Sequence, residues 1–126
     1  MLKEIYERYH DRWLLEASFN DLLRWNRWWI AHRRNGQLLR YGSDQASNSY
    51  NHSKQAAVWE SGMDDSPMYA EAPFNSAKNM LELEDVGLTG LYIADCKALA
   101  EIAYVIGRKS EAEELRARGR VLKGDR

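Results

Sequence analysis

Apolar positions follow a helical repeat at both ends of the chain and lose it in between. From about Leu2 to Arg34 the pattern predicts helix. An interruption is expected where Ser18-Phe19-Asn20-Asp21 resembles a capping box, with a fresh helix beginning near Phe19. Asn35-Gly36 supplies the stop, because both residues tolerate the left-handed backbone that ends helices. At about 100° per residue, Phe19, Leu22, Leu23, Trp25, Trp28, Trp29 and Ile30 cover more than half of the helical wheel. A surface helix carries a narrower stripe, so this one is expected to be covered on two sides. Asn26 and Arg33 fall on the same apolar face. Polar groups there must be paired or must reach water. Either Arg33 lies past the covered turns and snorkels out, or the two residues line a polar cavity.

From Gln37 to about Thr89 no period is sustained. Leu38-Leu39-Arg40-Tyr41 is short and suits extended chain, while Gly42-Ser43-Asp44 and Ser47-Asn48-Ser49-Tyr50-Asn51 carry turn chemistry. The stretch exceeds an ordinary connection and reads as a long structured loop. From Thr89 the repeat returns: Leu91, Ala94, Ala98, Ile102 and Val105 recur at helical steps, and Leu99, Ala103 and Ile106 widen the face. Gly107 ends that helix, and Ser110-Glu111-Ala112-Glu113 forms a capping box opening a last helix through about Leu122. The opposite charges over Glu111–Arg118 read as its solvated outer face. The expectation is all-α. It has about four helices in one domain over 1–126: helix at about 2–34, loop at about 37–89, and a helical hairpin at about 90–122.

Composition narrows the function classes. The 126 residues suit one domain, with 44% apolar residues for a core and 29% charged residues of mixed sign for a surface. A net charge of −1 lacks the basic field that nucleic acid requires. No apolar run nears the roughly 18 residues of a membrane span, and Met1-Leu2-Lys3-Glu4 carries no secretory signal. One cysteine excludes an internal disulfide and fits a reducing compartment, so a cytoplasmic protein is expected. Five Trp and seven Tyr against two Phe suit cores, interfaces and sugar-stacking surfaces alike.

The chemistry concentrates in the loop. Glu60, Asp64 and Asp65 lie beside Trp59, Met63 and Tyr69 in Trp59-Glu60-Ser61-Gly62-Met63-Asp64-Asp65-Ser66-Pro67-Met68-Tyr69. Apolar neighbours and a second carboxylate both raise a carboxyl pKa, which is how an acid stays protonated near neutral pH to serve a leaving group. The same string also suits a plain acidic turn, with Asp capping a helix and Pro in its first turn. His10, His32 and His52 lack paired ligand spacing, and the three carboxylates lack the alternation of a calcium loop, so no metal or cofactor is expected. Cys96 reads as a small packed residue. Trp25, Trp28 and Trp29 suit core packing or a sugar platform, with Trp28 the one placed to reach a cavity.

Trp59-Glu60-Ser61-Gly62-Met63-Asp64-Asp65-Ser66-Pro67 resembles the signature of glycoside hydrolase family 63, which acts on α-glucosides, mannosylglycerate or glucosylglycerate. The flanks are similar too. Trp25-Asn26-Arg27-Trp28-Trp29, Arg33, Gly36 and Leu39 look like the helix before that family's catalytic loop. Leu88, Leu91-Tyr92, Asp95, Leu99-Ala100, Ile102-Ala103 and Ile106-Gly107 look like the helix pair after it. The resemblance implies a segment of an (α/α)6 toroid and hydrolysis with inversion. It makes Asp64 the general acid, places Glu60 and Asp65 around it, and makes Trp59 a wall of the sugar pocket. Arg33 and Trp28 become candidates for substrate contact, although a carboxylate within the protein suits Arg33 as well as a substrate carboxylate does.

Two departures follow. Asp65 stands where the family commonly has Asn; if ionised, it raises the pKa of Asp64 further. Inversion also needs a base carboxylate roughly 6.5–9.5 Å across the sugar ring. The family's base would lie beyond residue 126, so a barrel segment is expected, self-associating or joined by a complementary segment. The alternative is a non-catalytic helical domain that binds carbohydrate or another protein.

Overall fold

The computed structural model describes residues 1–36, 38–43, 53–63 and 66–124. The fold is all-α, with two short hairpins. It divides into two compact units, residues 1–31 with 89–126, and residues 32–88.

The first unit holds α1 (Leu2–Tyr9), most of α2 (Arg12–Arg33), most of α5 (Val86–Val105) and α6 (Lys109–Lys123). The interruption in the N-terminal helix comes earlier than the capping pattern suggests. His10 adopts left-handed backbone (φ 55°), closes α1 by donating its N–H to Tyr6 O at 2.7 Å, and leaves Ser18-Phe19-Asn20-Asp21 inside α2. The reason is packing. Leu15, Phe19 and Leu23 recur every four residues and are buried, and each such side chain contributes about 1.5–3 kcal/mol that breaking the helix would forfeit. Covering on two sides is not observed: Trp25 is 56% exposed, and the tryptophans pack on one another instead. Trp25 and Trp28 stack at 5.3 Å, and Trp29 meets both edge-on.

On α5 the buried stripe is Leu88, Tyr92, Cys96, Leu99 and Ala103, whereas Leu91, expected on the core face, is 71% exposed. Counting aliphatics alone misplaces the stripe, because Tyr92 and Cys96 bury their bulk while keeping polar partners. The helix starts at Val86 rather than Thr89, since Asp85 Oδ1 accepts Leu88 N–H at 2.8 Å and caps the first turn. Gly107 (φ 80°) ends the hairpin's first arm, and Arg108 N–H reaches back to Ala103 O at 2.7 Å. The Ser110 capping box is not made. Ser110 lies within α6, whose N-cap is Arg108; that guanidinium binds Glu111 and Asn20. A Cβ on Gly119 would lie 3.4 Å from Cys96 Cβ, so α6 packs closely against α5 there.

Nor is the charged face of α6 merely solvated. Asn26 is fully buried and uses every polar atom of its amide. Its Nδ2 donates to Asp95 Oδ2 (2.7 Å) and Cys96 Sγ (3.4 Å), while its Oδ1 accepts from Tyr92 OH (2.7 Å) and Arg118 Nη1 (2.7 Å). Arg118 also binds Glu114, which accepts a two-toothed pair from Arg27 at 2.7 and 3.0 Å. Burial raises the pKa values of Tyr92 and Cys96, keeping both protonated at neutral pH.

The hydrogen bonds from Arg27, and then those from Arg118, hold Glu114 down to a pKa of about 2 against an ordinary 4.5. A carboxyl depressed in the folded state stabilises above its unfolded pKa, and that contribution disappears as pH falls through its folded value. Glu114→Gln is therefore expected to be less stable than the parent at pH 6 by about 1–2 kcal/mol, the fuller linkage value being reduced by solvent at a side chain one-third exposed. The difference should shrink between pH 4.5 and 2. Urea unfolding at pH 6 and pH 2.5 checks this, and a pH-independent difference would refute it.

The second unit builds its structure within the aperiodic stretch. Strands β1 (Arg34–Asn35) and β2 (Leu38–Leu39) pair through a turn at Gly36 (φ 77°), and β3 (Phe74–Asn75) pairs with β4 (Met80–Leu81). Tyr41–Ser43 runs along β4: Leu81 N–H donates to Tyr41 O, and Ser43 N–H donates to Asn79 O. Helices α3 (Lys54–Glu60) and α4 (Pro67–Ala70) bring Ala57, Val58 and Tyr69 onto Ala72 and Leu81, flanked by Tyr41, Phe74 and Leu83. The Tyr69 hydroxyl donates to Asp85 Oδ2 at 2.8 Å, and burial pushes its pKa up. The predicted turns at Asp44 and Ser47–Asn51 lie outside the described residues.

Candidate active site

Helix α3 delivers the start of the acidic string. Ser53 caps it by accepting Ala56 N–H, and Trp59 and Glu60 are its last two residues. The chain then turns sharply. Gly62 takes φ 71°, which only glycine adopts without strain, and donates its N–H to Trp59 O. Ser61 Oγ donates to Val58 O at 2.6 Å and accepts Met63 N–H at 3.0 Å, so one hydroxyl ties helix to loop. Beyond the turn, Ser66 N–H donates to Met63 O, Ser66 Oγ accepts Met68 N–H, and Pro67 occupies the first helical position of α4. Proline in the first turn is as the sequence suggests, with Ser66 as the N-cap. Asp64 and Asp65 themselves lie outside the described residues.

Arg33 does not snorkel to water. Its guanidinium forks onto Glu60: Nη2 donates to Oε1 at 2.7 Å, and Nε is shared between Oε1 (3.1 Å) and Oε2 (2.8 Å). The side chains are 7% and 20% exposed, respectively. Gly42 N–H adds a bond to Oε2 at 2.8 Å, and Arg33 Nη1 donates to His32 O. Of the two partners open to Arg33 in the sequence, a carboxylate within the protein is the one it meets. Asp95 and Arg118, partners of Asn26, lie in the first unit, and Glu60, the partner of Arg33, lies in the second.

Among the other sequence-predicted residues, Trp59 is half-exposed, and Trp28 belongs to the tryptophan cluster of the first unit. An exposed indole face suits a sugar, which stacks on aromatic rings. Sequence reasoning missed Gly42 as a ligand of Glu60, and Asp85 as a joint between Tyr69 and α5. Asp85 was findable, because an acidic residue three before Leu88 at a helix start is a cap signal. Gly42 was not, because it acts through its backbone.

No helix among the described residues is long and apolar enough to cross a membrane. No curated protein and no solved structure matches the chain. The family model of the mannosylglycerate hydrolase MGH1-like glycoside hydrolase domain matches residues 1–125, in keeping with the resemblance to family 63. This chain therefore belongs to the family of mannosylglycerate hydrolase MGH1-like glycoside hydrolase domains.

Proposed function

We propose that the domain serves the inverting hydrolysis of an α-glycosidic bond in a small α-glucoside or glycosyl-glycerate, with Asp64 as general acid. The family match over residues 1–125, which spans the acidic string and both flanking helical segments, carries this reading. Asp64 donates its proton to the glycosidic oxygen as the bond to the anomeric carbon breaks. A carboxylate on the opposite face takes a proton from the water that attacks that carbon, so the sugar leaves with inverted configuration. That base is not assigned among the residues the resemblance brings to this chain. Trp59 forms a wall against the sugar, and Asp65, when ionised, raises the pKa of the acid.

The test is proton NMR of the anomeric region during hydrolysis of a panel of α-glucosides, mannosylglycerate and glucosylglycerate. The β-anomer should appear first from an α-substrate and mutarotate later. First appearance of the α-anomer would mean retention and would refute the mechanism. Saturable binding without any turnover would favour the non-catalytic carbohydrate-binding alternative.

A further inference from the structure

We infer that Arg33 and Gly42 act through Glu60 as positioning residues for the acid-bearing loop, rather than as contacts to substrate. The inference rests on the reading of Asp64 as the acid. Its own observation is that both oxygens of Glu60 are engaged within the protein. Oε1 accepts Arg33 Nη2 and Nε; Oε2 accepts Arg33 Nε and Gly42 N–H. Three donors supply these contacts, the Nε hydrogen being shared, and both oxygens are held from within the protein. Breaking the fork to offer Glu60 to a sugar would leave the Arg33 guanidinium, 7% exposed, without its carboxylate.

Both partners of Glu60 are themselves fixed. Arg33 stands in the last turn of α2, and its carbonyl accepts Arg40 N–H at 3.0 Å. Gly42 is wedged against β4: a Cβ there would lie 2.6 Å from Asn79 O and 3.1 Å from both Arg33 Nε and Met80 Cγ. Because a backbone oxygen is in the way, any side chain would force Gly42 off Glu60 or off β4. The position requires glycine for its missing side chain and its N–H together. Glu60 is the last residue of α3, and the turn through Ser61 and Gly62 leads to Asp64 four positions on. Held at three points, the end of α3 fixes the take-off of the acid loop. A misplacement of about 1 Å at a reacting group costs on the order of 100-fold in rate.

The test compares Glu60→Gln, Arg33→Lys and Gly42→Ala with the parent on two substrates. An alkyl α-glycoside needs the acid to protonate its leaving group; an α-glycosyl fluoride needs it far less. Each variant should lose about 10–100-fold in kcat on the alkyl glycoside, with KM within about twofold and the fluoride within about threefold. A rise in KM at constant kcat would assign Glu60 and Arg33 to substrate, and equal losses on both substrates would remove the link to the acid. Hydrogen exchange supplies a readout independent of turnover. In Glu60→Gln, the amides of Ser61–Met63 and Ser66 should exchange at least about tenfold faster, while those of α6 stay unchanged. Unchanged protection at those amides would overturn the clamp. If the parent cleaves neither substrate, the segment lacks its base carboxylate, and exchange alone decides whether Glu60 holds the loop. Arg33→Lys, which keeps the charge but loses the fork, stands in if Glu60→Gln does not fold.

Discussion

Replacing Asp64 with asparagine is expected to lower turnover of an alkyl α-glycoside by about 100- to 10,000-fold and to leave sugar binding within a few-fold of the parent. Asparagine keeps the shape and hydrogen-bonding reach of the side chain but has no proton to give. The leaving alkoxide is then expelled unprotonated, and the loss falls on kcat. An α-glycosyl fluoride, whose leaving group needs little protonation, should retain most of its rate. The alkaline limb of the pH–rate profile, which in the parent reports deprotonation of the acid, should flatten in the variant. Steady-state kinetics on both substrates across pH 4–9 read all of this. Equal loss on the two substrates would assign Asp64 to another part of the reaction, and no loss on either would remove it from the chemistry.

What the sequence discloses about this site follows from which atoms do the work. The string Trp59–Pro67 stands out in the sequence because the chemistry it suggests belongs to side chains, which residue letters name directly. Pro67 reads correctly as a first-turn residue for the same reason: its ring sets φ, and it has no N–H to lose. Gly42 contributes a backbone N–H and an empty space, neither of which a residue letter announces. Arg33 lies between these cases. Its place on the apolar wheel shows that a partner is needed, but the partner, Glu60, is 27 residues away across an aperiodic stretch that only folding brings together.

The helical ends show a second pattern. Helix identity was legible from the repeat, while boundaries and faces were not. Ser18 and Ser110 both have the look of N-caps, yet both lie within helices. A cap contributes about 1 kcal/mol, less than burial of Phe19 in one helix, so the tertiary term decides. On α5, an index of aliphatic spacing favours Leu91 over Tyr92, although Tyr92 buries more surface and also satisfies its hydroxyl on Asn26. The amphipathic residues that confuse a hydrophobic count are the ones that build the polar joint.

That joint sets the second large expectation. Asn26→Leu should destabilise the protein by about 2–4 kcal/mol, although leucine is nearly isosteric and more apolar. Transfer energy favours leucine at a fully buried site. Against it, Arg118 Nη1 and Asp95 Oδ2 each lose a 2.7 Å partner. Tyr92 OH retains the Asn26 backbone carbonyl, also at 2.7 Å, so its loss is partial. A stranded guanidinium is the costliest of these, since Glu114 satisfies only part of its fork. The prediction separates from a simple packing defect through a double-mutant cycle. Removing Arg118 as well, with Arg118→Met, deletes the stranded charge, so the double variant should recover about 1–3 kcal/mol relative to the sum of the singles. Urea midpoints for the four proteins measure that coupling, and strict additivity would mean that Asn26 serves only to fill space. Recovery would show instead that α2, α5 and α6 are joined by an amide with no spare hydrogen-bonding capacity, which neither aspartate nor a hydrocarbon can imitate.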